Sequence, residues 1–234
     1  MIRIAVDGPA SSGKSSVGRR VARELGIGFL DTGLLYRAIT RRAVDLGYLT
    51  RPLGSSELAG EPLTEIRERL TDLARITDAR GEGSSFRIVV GEVPMTREGL
   101  ESSDVELHVP SVASVPSVRD ALRAVQRGVA ARGGALLAGR DIGTVVLPDA
   151  DCKIFLDASA EERAKRRALQ RGFELDSTEH RRILDALIAR DAEDRSRTVA
   201  PLRAAADAVV LRTDAVPIDE VVRQVVSVAR AAIR

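Results

Sequence analysis

The chain has 234 residues, of which 44% are hydrophobic and 30% are charged, and its formal net charge at pH 7 is +2. These values are typical of an ordinary globular protein, and the length suits one α/β domain with insertions. No apolar run approaches the ~18 residues of a membrane span, the single cysteine excludes an internal disulfide, and 3% aromatic residues offer few platforms for stacking bases. We therefore expect a cytoplasmic monomer that binds neither membrane nor nucleic acid.

A glycine-rich stretch near the start of the chain carries the strongest functional signal. Residues 8–15, GPASSGKS, fit G-x-x-x-x-G-K-[ST], the P-loop. An apolar run at residues 2–7 precedes them and a helical apolar pattern follows, which is the strand, loop and helix order that the motif requires. In such a loop the backbone N–H groups cradle a phosphate, Lys14 reaches the β- and γ-oxygens, and the Ser15 hydroxyl ligates Mg²⁺.

Hydrophobic periodicity predicts the elements that follow the loop. A short strand at residues 27–30 precedes a helix capped by Thr32. A Gly-, Pro- and Ser-rich loop is expected at residues 47–60, and a helical stretch at residues 63–74. The pattern then changes to alternation, which predicts a β-hairpin at residues 86–95.

The second half of the chain alternates between helices and short apolar runs. A helix is expected from residue 116 to about residue 132, and the runs at residues 135–139, 153–157 and 208–211 are of the kind that is buried in parallel sheets. The last helix, at residues 218–229, carries one clean apolar stripe. Because strands and helices alternate throughout, we predict an α/β fold with a parallel sheet and helices on both faces.

About fifty charged, mostly helical residues lie between residues 156 and 208, interrupted by Gly172. A helical pair with so few apolar positions is expected to be weakly held and mobile. Beside a phosphate loop, its arginines favour a lid that brings guanidinium groups to a transferring phosphoryl group. The alternative is a solvated helix face laced with ion pairs.

The residue types that are present and absent limit the reactions that the protein could catalyse. The chain contains no Asn, so the N-K-x-D motif that reads guanine in switch GTPases is absent, and the strand at residues 135–139 does not end in the acidic residue that large ATPases use. A kinase of alcohols needs a carboxylate to accept a proton, whereas a phosphate acceptor is already mostly ionised near pH 7. His108 and His180 are isolated and are expected at the surface. This balance favours a phosphate acceptor.

Several motifs in one order resemble bacterial cytidylate kinases, within the P-loop nucleoside monophosphate kinase family. They are IAVDGP before the loop, LDTG with Tyr36 and Arg37, GRDIGT at residues 139–144, IFLDAS at residues 154–159, and Arg190-Asp191 followed by VAPL. The resemblance covers nearly the whole chain, and the D-G-P opening and GRDIGT distinguish it from adenylate, guanylate and shikimate kinases.

The resemblance implies a fold, a reaction and a division of the chain. The fold would be a five-stranded parallel sheet with helices on both faces, an NMP-binding insertion and a helical lid, and the reaction the Mg²⁺-dependent transfer of a phosphoryl group from ATP to CMP or dCMP, with UMP a poorer acceptor. Within one kinase domain, residues 1–234, the expected sub-regions are a core (1–46, 116–157 and 198–234), the NMP-binding insertion (47–115), and the lid with its following helix (158–197).

The resemblance also assigns site residues. Predicted to bind ATP are Gly8, Pro9, Ala10, Ser11, Ser12, Gly13, Lys14, Ser15, Ser16, Arg163, Arg166 and Arg167. Predicted to bind the acceptor nucleotide are Asp31, Thr32, Tyr36, Arg37, Arg119, Arg140, Asp141, Arg190, Asp194 and Arg197. Of these, Lys14, Arg140 and Arg190 are predicted to be catalytic, and Ser15 is the predicted metal ligand.

Three positions depart from the family pattern. Pro110 stands where the family has a serine expected to read the cytosine edge, Leu100-Glu101 stands where it has I-R, and Ala138 stands where an acidic residue is common. Two other functions are kept as alternatives: an ATP-dependent kinase of another small acceptor, UMP or an alcohol as in shikimate kinases, and a nucleotide-binding protein that regulates a partner without phosphoryl transfer.

Overall fold

The structure is a computed structural model that describes residues 1–51, 53, 63–197 and 199–232. The chain forms two compact units, one made of Met1–Phe29 with Gly134–Arg234 and the other of Leu30–Gly133. The predicted sub-regions, with their boundaries near residues 46, 115, 157 and 197, stay a prediction. The greater part of the predicted loop at residues 47–60 lies outside the described residues.

The described elements are numbered in chain order. The strands are β1 (Arg3–Asp7), β2 (Gly28–Asp31), β3 (Thr77–Glu82), β4 (Ser85–Val90), β5 (Val93–Pro94), β6 (Ala135–Gly139), β7 (Cys152–Asp157) and β8 (Val209–Arg212). The α-helices are α1 (Lys14–Leu25), α2 (Gly33–Asp45), α3 (Thr64–Arg75), α4 (Arg97–Leu100), α5 (Ser103–Ser114), α6 (Pro116–Ala131), α7 (Ala160–Gln170), α8 (Thr178–Ser196) and α9 (Ile218–Ala232). A π-helical turn spans Ile142–Val146.

A five-stranded sheet in the order β2-β6-β1-β7-β8 organises the first unit. β1 runs parallel to β6 and β7, and β7 runs parallel to β8. All five residues of β6 are buried, as expected for a strand covered on both faces. The predicted α/β class with a five-stranded parallel sheet is confirmed.

Helices α1 and α9 pack on one face of this sheet. Their apolar stripes pack against the side chains of β1, β6 and β7 that point to this face. Together they form one buried cluster that includes Ile4, Val6, Val17, Val21, Leu136, Ile154, Val225 and Val226. Each such side chain stabilises the fold by about 1.5–3 kcal/mol when it leaves water. Ala5 and Leu137 on the opposite face are also fully buried. The sheet therefore holds the strand ends of the first unit in fixed positions.

The helical pair predicted between residues 156 and 208 is present as α7 and α8. Gly172 follows α7 with a φ of 76°, a left-handed conformation that ends the helix at little steric cost. Ala164, Ala168, Ile183 and Leu187 form a small apolar cluster that also includes Ala10 of the phosphate loop. The predicted mobility of this pair is untested and stays a prediction.

The second unit contains the predicted hairpin and elements that the sequence did not predict. Strands β4 and β5 pair antiparallel, with a turn at Gly91, whose φ is 61°. β3 pairs with β4 although its sequence, TDARGE, lacks an apolar alternation, and α5 forms although Pro110 lies inside it. Helix α5 packs against α2, and α3 packs against α6.

The expectation that both histidines lie at the surface is wrong for His108. This side chain is 7% exposed, and its Nδ1 lies 2.7 Å from the carbonyl oxygen of Asp104 one turn earlier in α5. The His180 ring is partly buried, and its Nδ1 accepts a hydrogen bond from the backbone N–H of Asp176 at 3.0 Å. Among the described residues, no helix combines the length and the apolar character of a membrane span.

Candidate active site

The phosphate loop connects β1 to α1 in the first unit, and two glycines shape it. A Cβ on Gly8 would lie 2.1 Å from the carbonyl oxygen of Leu156 in β7, so no side chain fits where the strand turns into the loop. Gly13 adopts a φ of 92° directly before α1, whose first turn has no side-chain cap. The first N–H groups of a helix and its positive dipole end favour the binding of an anion at such a position.

Lys14 and Ser15 begin α1 at the mouth of this loop. The Lys14 side chain is buried, and its Nζ donates to the carbonyl oxygen of Pro9 at 2.5 Å and to Ser12 Oγ at 3.3 Å. The ammonium group therefore lies across the loop, within reach of the oxygens of a phosphate seated there. Ser15 places its hydroxyl in the same helical turn.

A carboxylate that was predicted only as part of the D-G-P motif, with no role of its own, lies immediately before the loop. Asp7, the last residue of β1, is 3% exposed and accepts hydrogen bonds from the backbone N–H groups of Ile142 at 2.8 Å and Gly143 at 2.7 Å. Burial raises the pKa of Asp7 to about 6; the two backbone hydrogen bonds and Lys14 work against that rise, and the charge of Asp141 adds to it. An acidic residue closing a buried apolar strand was the signal in the sequence.

The raised pKa of Asp7 predicts a pH dependence of stability. The folded-state pKa lies above that of the unfolded chain, so the ionised carboxylate destabilises the fold above pH 6, and this cost fades as the pH falls towards 4. We expect the unfolding free energy of the wild type, minus that of Asp7→Asn, to rise by about 2 kcal/mol between pH 7 and pH 4.5. Urea unfolding across that range measures the difference, and a flat or opposite trend would contradict it.

The GRDIGT motif turns from β6 into the π-helical turn. Leu147 N–H donates to the carbonyl oxygen of Ile142 at 2.6 Å and Val146 N–H to that of Asp141 at 3.1 Å, the wide hydrogen-bonding pattern of a π-helix. Such turns are rare, and they occur frequently at functional sites. Arg140 and Asp141 lie between β6 and this turn, and Asp141 is buried.

Four residues predicted to bind the acceptor come together on and beside α8: Asp194 and three arginines around it, Arg140, Arg190 and Arg197. Arg140 Nε donates to Asp194 Oδ2 at 2.9 Å, and Arg197 Nη2 lies 2.8 Å from Oδ1. Burial opposes the charge of Asp194, but the attraction of Arg140 and Arg197, the Arg140 hydrogen bond and the attraction of Arg190 together hold its pKa below its usual range. Three guanidinium groups around one carboxylate leave a net positive charge suited to a phosphate.

The three arginines assigned to α7 have different surroundings. Arg163 is buried: Nη1 donates to the carbonyl oxygen of Ala10 at 3.0 Å, and Nη2 pairs with Asp191 Oδ2 at 2.5 Å. Arg166 binds Glu162 and both the hydroxyl and carbonyl oxygens of Thr213. Arg167 Nη1 lies 3.5 Å from Ser11 Oγ of the loop. Arg163 thus ties the phosphate loop to α8.

Arg163 offers a test of this connection. Replacing it with Met would leave Asp191 as a buried charge without its partner, so we expect Arg163→Met to lower the unfolding free energy by about 3–5 kcal/mol, measured by urea denaturation. The exposed Arg181→Met on α8 is the control and should change it by less than about 0.5 kcal/mol. The double variant Arg163→Met/Asp191→Leu should recover most of the loss; equal losses in Arg163→Met and Arg181→Met would refute the interpretation.

The remaining predicted acceptor residues belong to the second unit. Asp31 Oδ1 accepts from Gly33 N–H at 3.1 Å, and the Arg37 Nη1 donates to the carbonyl oxygen of Leu100 at 3.0 Å. The Arg119 guanidinium lies 5.6 Å from the centre of the Tyr36 ring, close enough for a cation–π contact. Thr32 is the buried residue directly before α2.

The position that departs from the family serine is also in this unit. Pro110 lies inside α5, and the hydroxyl of the neighbouring Ser111 is turned inward. Ser111 is 1% exposed and donates to the carbonyl oxygen of His108 at 2.8 Å. Its hydroxyl is therefore engaged by the backbone of its own helix. The roles assigned to the site residues stay predictions.

Comparisons with known proteins agree with the motifs. A family model described as cytidylate kinase matches residues 4–231. A cytidylate kinase of Desulfitobacterium hafniense (strain Y51) is 42% identical over 229 residues, which cover 97% of this chain and 91% of that protein. One of Streptococcus pneumoniae (strain 70585) is 40% identical over 224 residues, 96% of this chain and 95% of that protein. A solved shikimate kinase of Bacteroides thetaiotaomicron is 14% identical with a TM-score of 0.47, over 95% of each chain.

Proposed function

This chain belongs to the cytidylate kinase family and transfers the γ-phosphoryl group of ATP to CMP or dCMP, and we propose that the residues around its phosphate loop carry out the transfer as follows. The bond between the γ-phosphorus and the β,γ-bridging oxygen breaks, and a bond from an acceptor phosphate oxygen to the γ-phosphorus forms. The products are ADP and CDP or dCDP. Because the acceptor phosphate is mostly ionised near pH 7, no general base is needed.

One observation carries the proposed site. The first unit contains the phosphate loop, which leads into a helix without a side-chain cap and has Lys14 lying across it. It also contains the arginine cluster around Asp194. In-line transfer between two polyanions requires that their charges be neutralised and their oxygens aligned, which is the work of fixed cations and N–H groups. We assign that work to Lys14, Arg140 and Arg190, with Arg167 beside the loop.

The acceptor nucleotide needs further contacts. We assign them within the first unit to Arg140, Asp141, Arg190, Asp194 and Arg197. For Asp31, Thr32, Tyr36, Arg37 and Arg119 the assignment rests on the family motifs. The cation–π contact between Arg119 and Tyr36 supports a role for this pair in binding a base or a phosphate, since it restrains the orientation of the guanidinium group. With Pro110 in place of a serine and the Ser111 hydroxyl bonded to His108, we assign no base contact to this pair of positions.

Magnesium fits the residues that are present. The Ser15 hydroxyl in the first turn of α1 is a hard oxygen donor of the kind Mg²⁺ prefers, and Mg²⁺ usually takes its other ligands from substrate phosphates and water. Within the described ranges no group of His, Cys, Asp or Glu forms a ready-made metal cage. If bound, Mg²⁺ would be held by Ser15 on the protein side and would supply positive charge that offsets the charge of the phosphates. The monomeric state and the cytoplasmic location stay predictions.

Acceptor choice tests the substrate assignment. In a coupled assay of ADP release we expect the highest kcat/KM with CMP and dCMP, a lower value with UMP, and values at least ~100-fold lower with AMP and GMP, because a site that pairs with one base leaves its polar groups unpaired with another. Reactions without acceptor give the background. Faster turnover of AMP or GMP than of CMP would contradict the assignment, and ATP binding without NMP-dependent ADP release would favour the regulatory alternative.

Lys14 tests the mechanism. We expect Lys14→Ala to lower kcat by about 10³-fold or more while the protein stays folded, because the charge that develops on the transferring phosphoryl group loses its nearest fixed cation. Lys165→Ala, which removes an exposed lysine of α7, is the matched control and should leave kcat unchanged. A normal kcat in Lys14→Ala would remove Lys14 from the mechanism.

A further inference from the structure

The carboxylate of Asp7 connects two parts of the first unit that the chain separates by more than a hundred residues. Asp7 is followed directly by Gly8, the first residue of the phosphate loop, while its two hydrogen-bond donors, Ile142 and Gly143, directly follow Asp141. In the sheet, Asp7 lies opposite Gly139, so the chain from Gly139 onward leaves β6 beside Asp7 and folds back over its side chain.

We propose that Asp7 is a positioning residue for phosphoryl transfer: by accepting both amide N–H groups of the π-helical turn, it fixes the segment that carries Arg140 and Asp141 relative to the phosphate loop. The inference rests on the proposed roles of Arg140 and Asp141 at the acceptor. Asp7 touches neither nucleotide in this account and acts through the backbone of residues 142 and 143.

The geometry of the π-helical turn requires a partner of this kind. The first N–H groups of any helical turn have no acceptor within it, and this turn has no side-chain cap from Asp141, the residue before it. Asp7 supplies both acceptors from another strand, and hydrogen bonds to a charged acceptor are about twice as strong as those between neutral groups. The turn is therefore held from outside.

Gly143 is fitted to the same contact. A Cβ at this residue would lie 3.3 Å from Asp7 Oδ2 and 3.3 Å from Lys153 Cδ, closer than such atoms normally approach. The absence of a side chain at residue 143 therefore leaves room for its backbone N–H to approach the carboxylate. On the other side of the segment, Arg140 is fixed by Asp194, so both ends of the Arg140–Gly143 stretch are tied down.

Charged groups act on Asp7 from two neighbouring elements: Lys14 from α1 and Asp141 from the segment before the π-helical turn. Lys153 of β7 lies beside Gly143, and its Nζ donates to the carbonyl oxygen of Pro148 and to Asp207. An ionised Asp7 offers two acceptor oxygens to two N–H groups. An asparagine offers one oxygen and turns an N–H₂ group towards the second donor, so Asp7→Asn keeps the shape but breaks one hydrogen bond.

The test compares Asp7→Asn with Asp219→Asn, which removes an exposed carboxylate of the same unit. We expect amide hydrogen exchange of the peptide containing Ile142 and Gly143 to accelerate about tenfold or more in Asp7→Asn. The kcat/KM for CMP should fall about 10–100-fold, while the equilibrium Kd for ATP stays within about threefold. Asp219→Asn should match the wild type in all three measurements.

The split between ATP binding and CMP turnover separates positioning from general destabilisation, which would impair both. Gly143→Ala disturbs the same contact on the donor side. It should likewise lower kcat/KM for CMP without weakening ATP binding, so the inference remains testable if Asp7→Asn does not fold. Wild-type kcat/KM and wild-type exchange in both variants would overturn it, as would an equal loss of ATP binding. If the wild type itself failed to phosphorylate CMP, the proposed function would fall, whereas faster exchange in the variants would still establish the contact.

Discussion

The close approach of β7 to the end of β1 is the constraint on which the site depends. At residue 8 the backbone passes so near the carbonyl oxygen of Leu156 that only glycine fits, and the chain must leave the sheet there in a conformation that bulkier residues avoid. The parallel register of β1 with β6 and β7 fixes the position of Gly8 next to Leu156. As a result, the phosphate loop, Asp7 and the segment after β6 all lie at the same edge of the sheet.

At that edge, two aspartates orient arginine side chains, and the arginines around Asp194 outnumber its single negative charge. Asp194 orients Arg140 and Arg197 and attracts Arg190, and Asp191 orients Arg163, whose other N–H groups bind the carbonyl oxygens of Ala10 and Ala158. Each guanidinium has five N–H donors, so the single carboxylate of Asp194 cannot bind all the donors of the three arginines around it. Arg163 ties α7 and α8 to the phosphate loop, and Arg140 ties α8 to the segment after β6.

The sequence predicted the parts of the fold that are encoded locally. The P-loop, the buried strands β6 and β7 and the stripe of α9 each follow from spacing within ten or so residues. Strand β3 did not, because TDARGE has no apolar alternation and pairs with β4. Helix α5 was not predicted either, since proline is unfavourable inside a helix and its packing against α2 joins distant parts of the chain. The clustering of Arg140, Arg190, Asp194 and Arg197 was expected only from the resemblance, and the burial of His108 was missed because it depends on tertiary packing.

Asp7 is the site residue that was hardest to predict, and it also conflicts most with the rule that charged side chains are not buried. The Asp7 carboxylate is buried next to the acidic Asp141, and burial is the main cause that raises its pKa to about 6. At neutral pH it is therefore mostly ionised, and its charge lowers the stability of the fold. A hydrophobic residue would end β1 more favourably, but it could not accept the N–H groups of Ile142 and Gly143. Such a local cost is retained where the arrangement it secures is needed, and here that arrangement is the π-helical turn beside Arg140 and Asp141. The partners lie 135 and 136 residues further along the chain, so no window of sequence could reveal the contact.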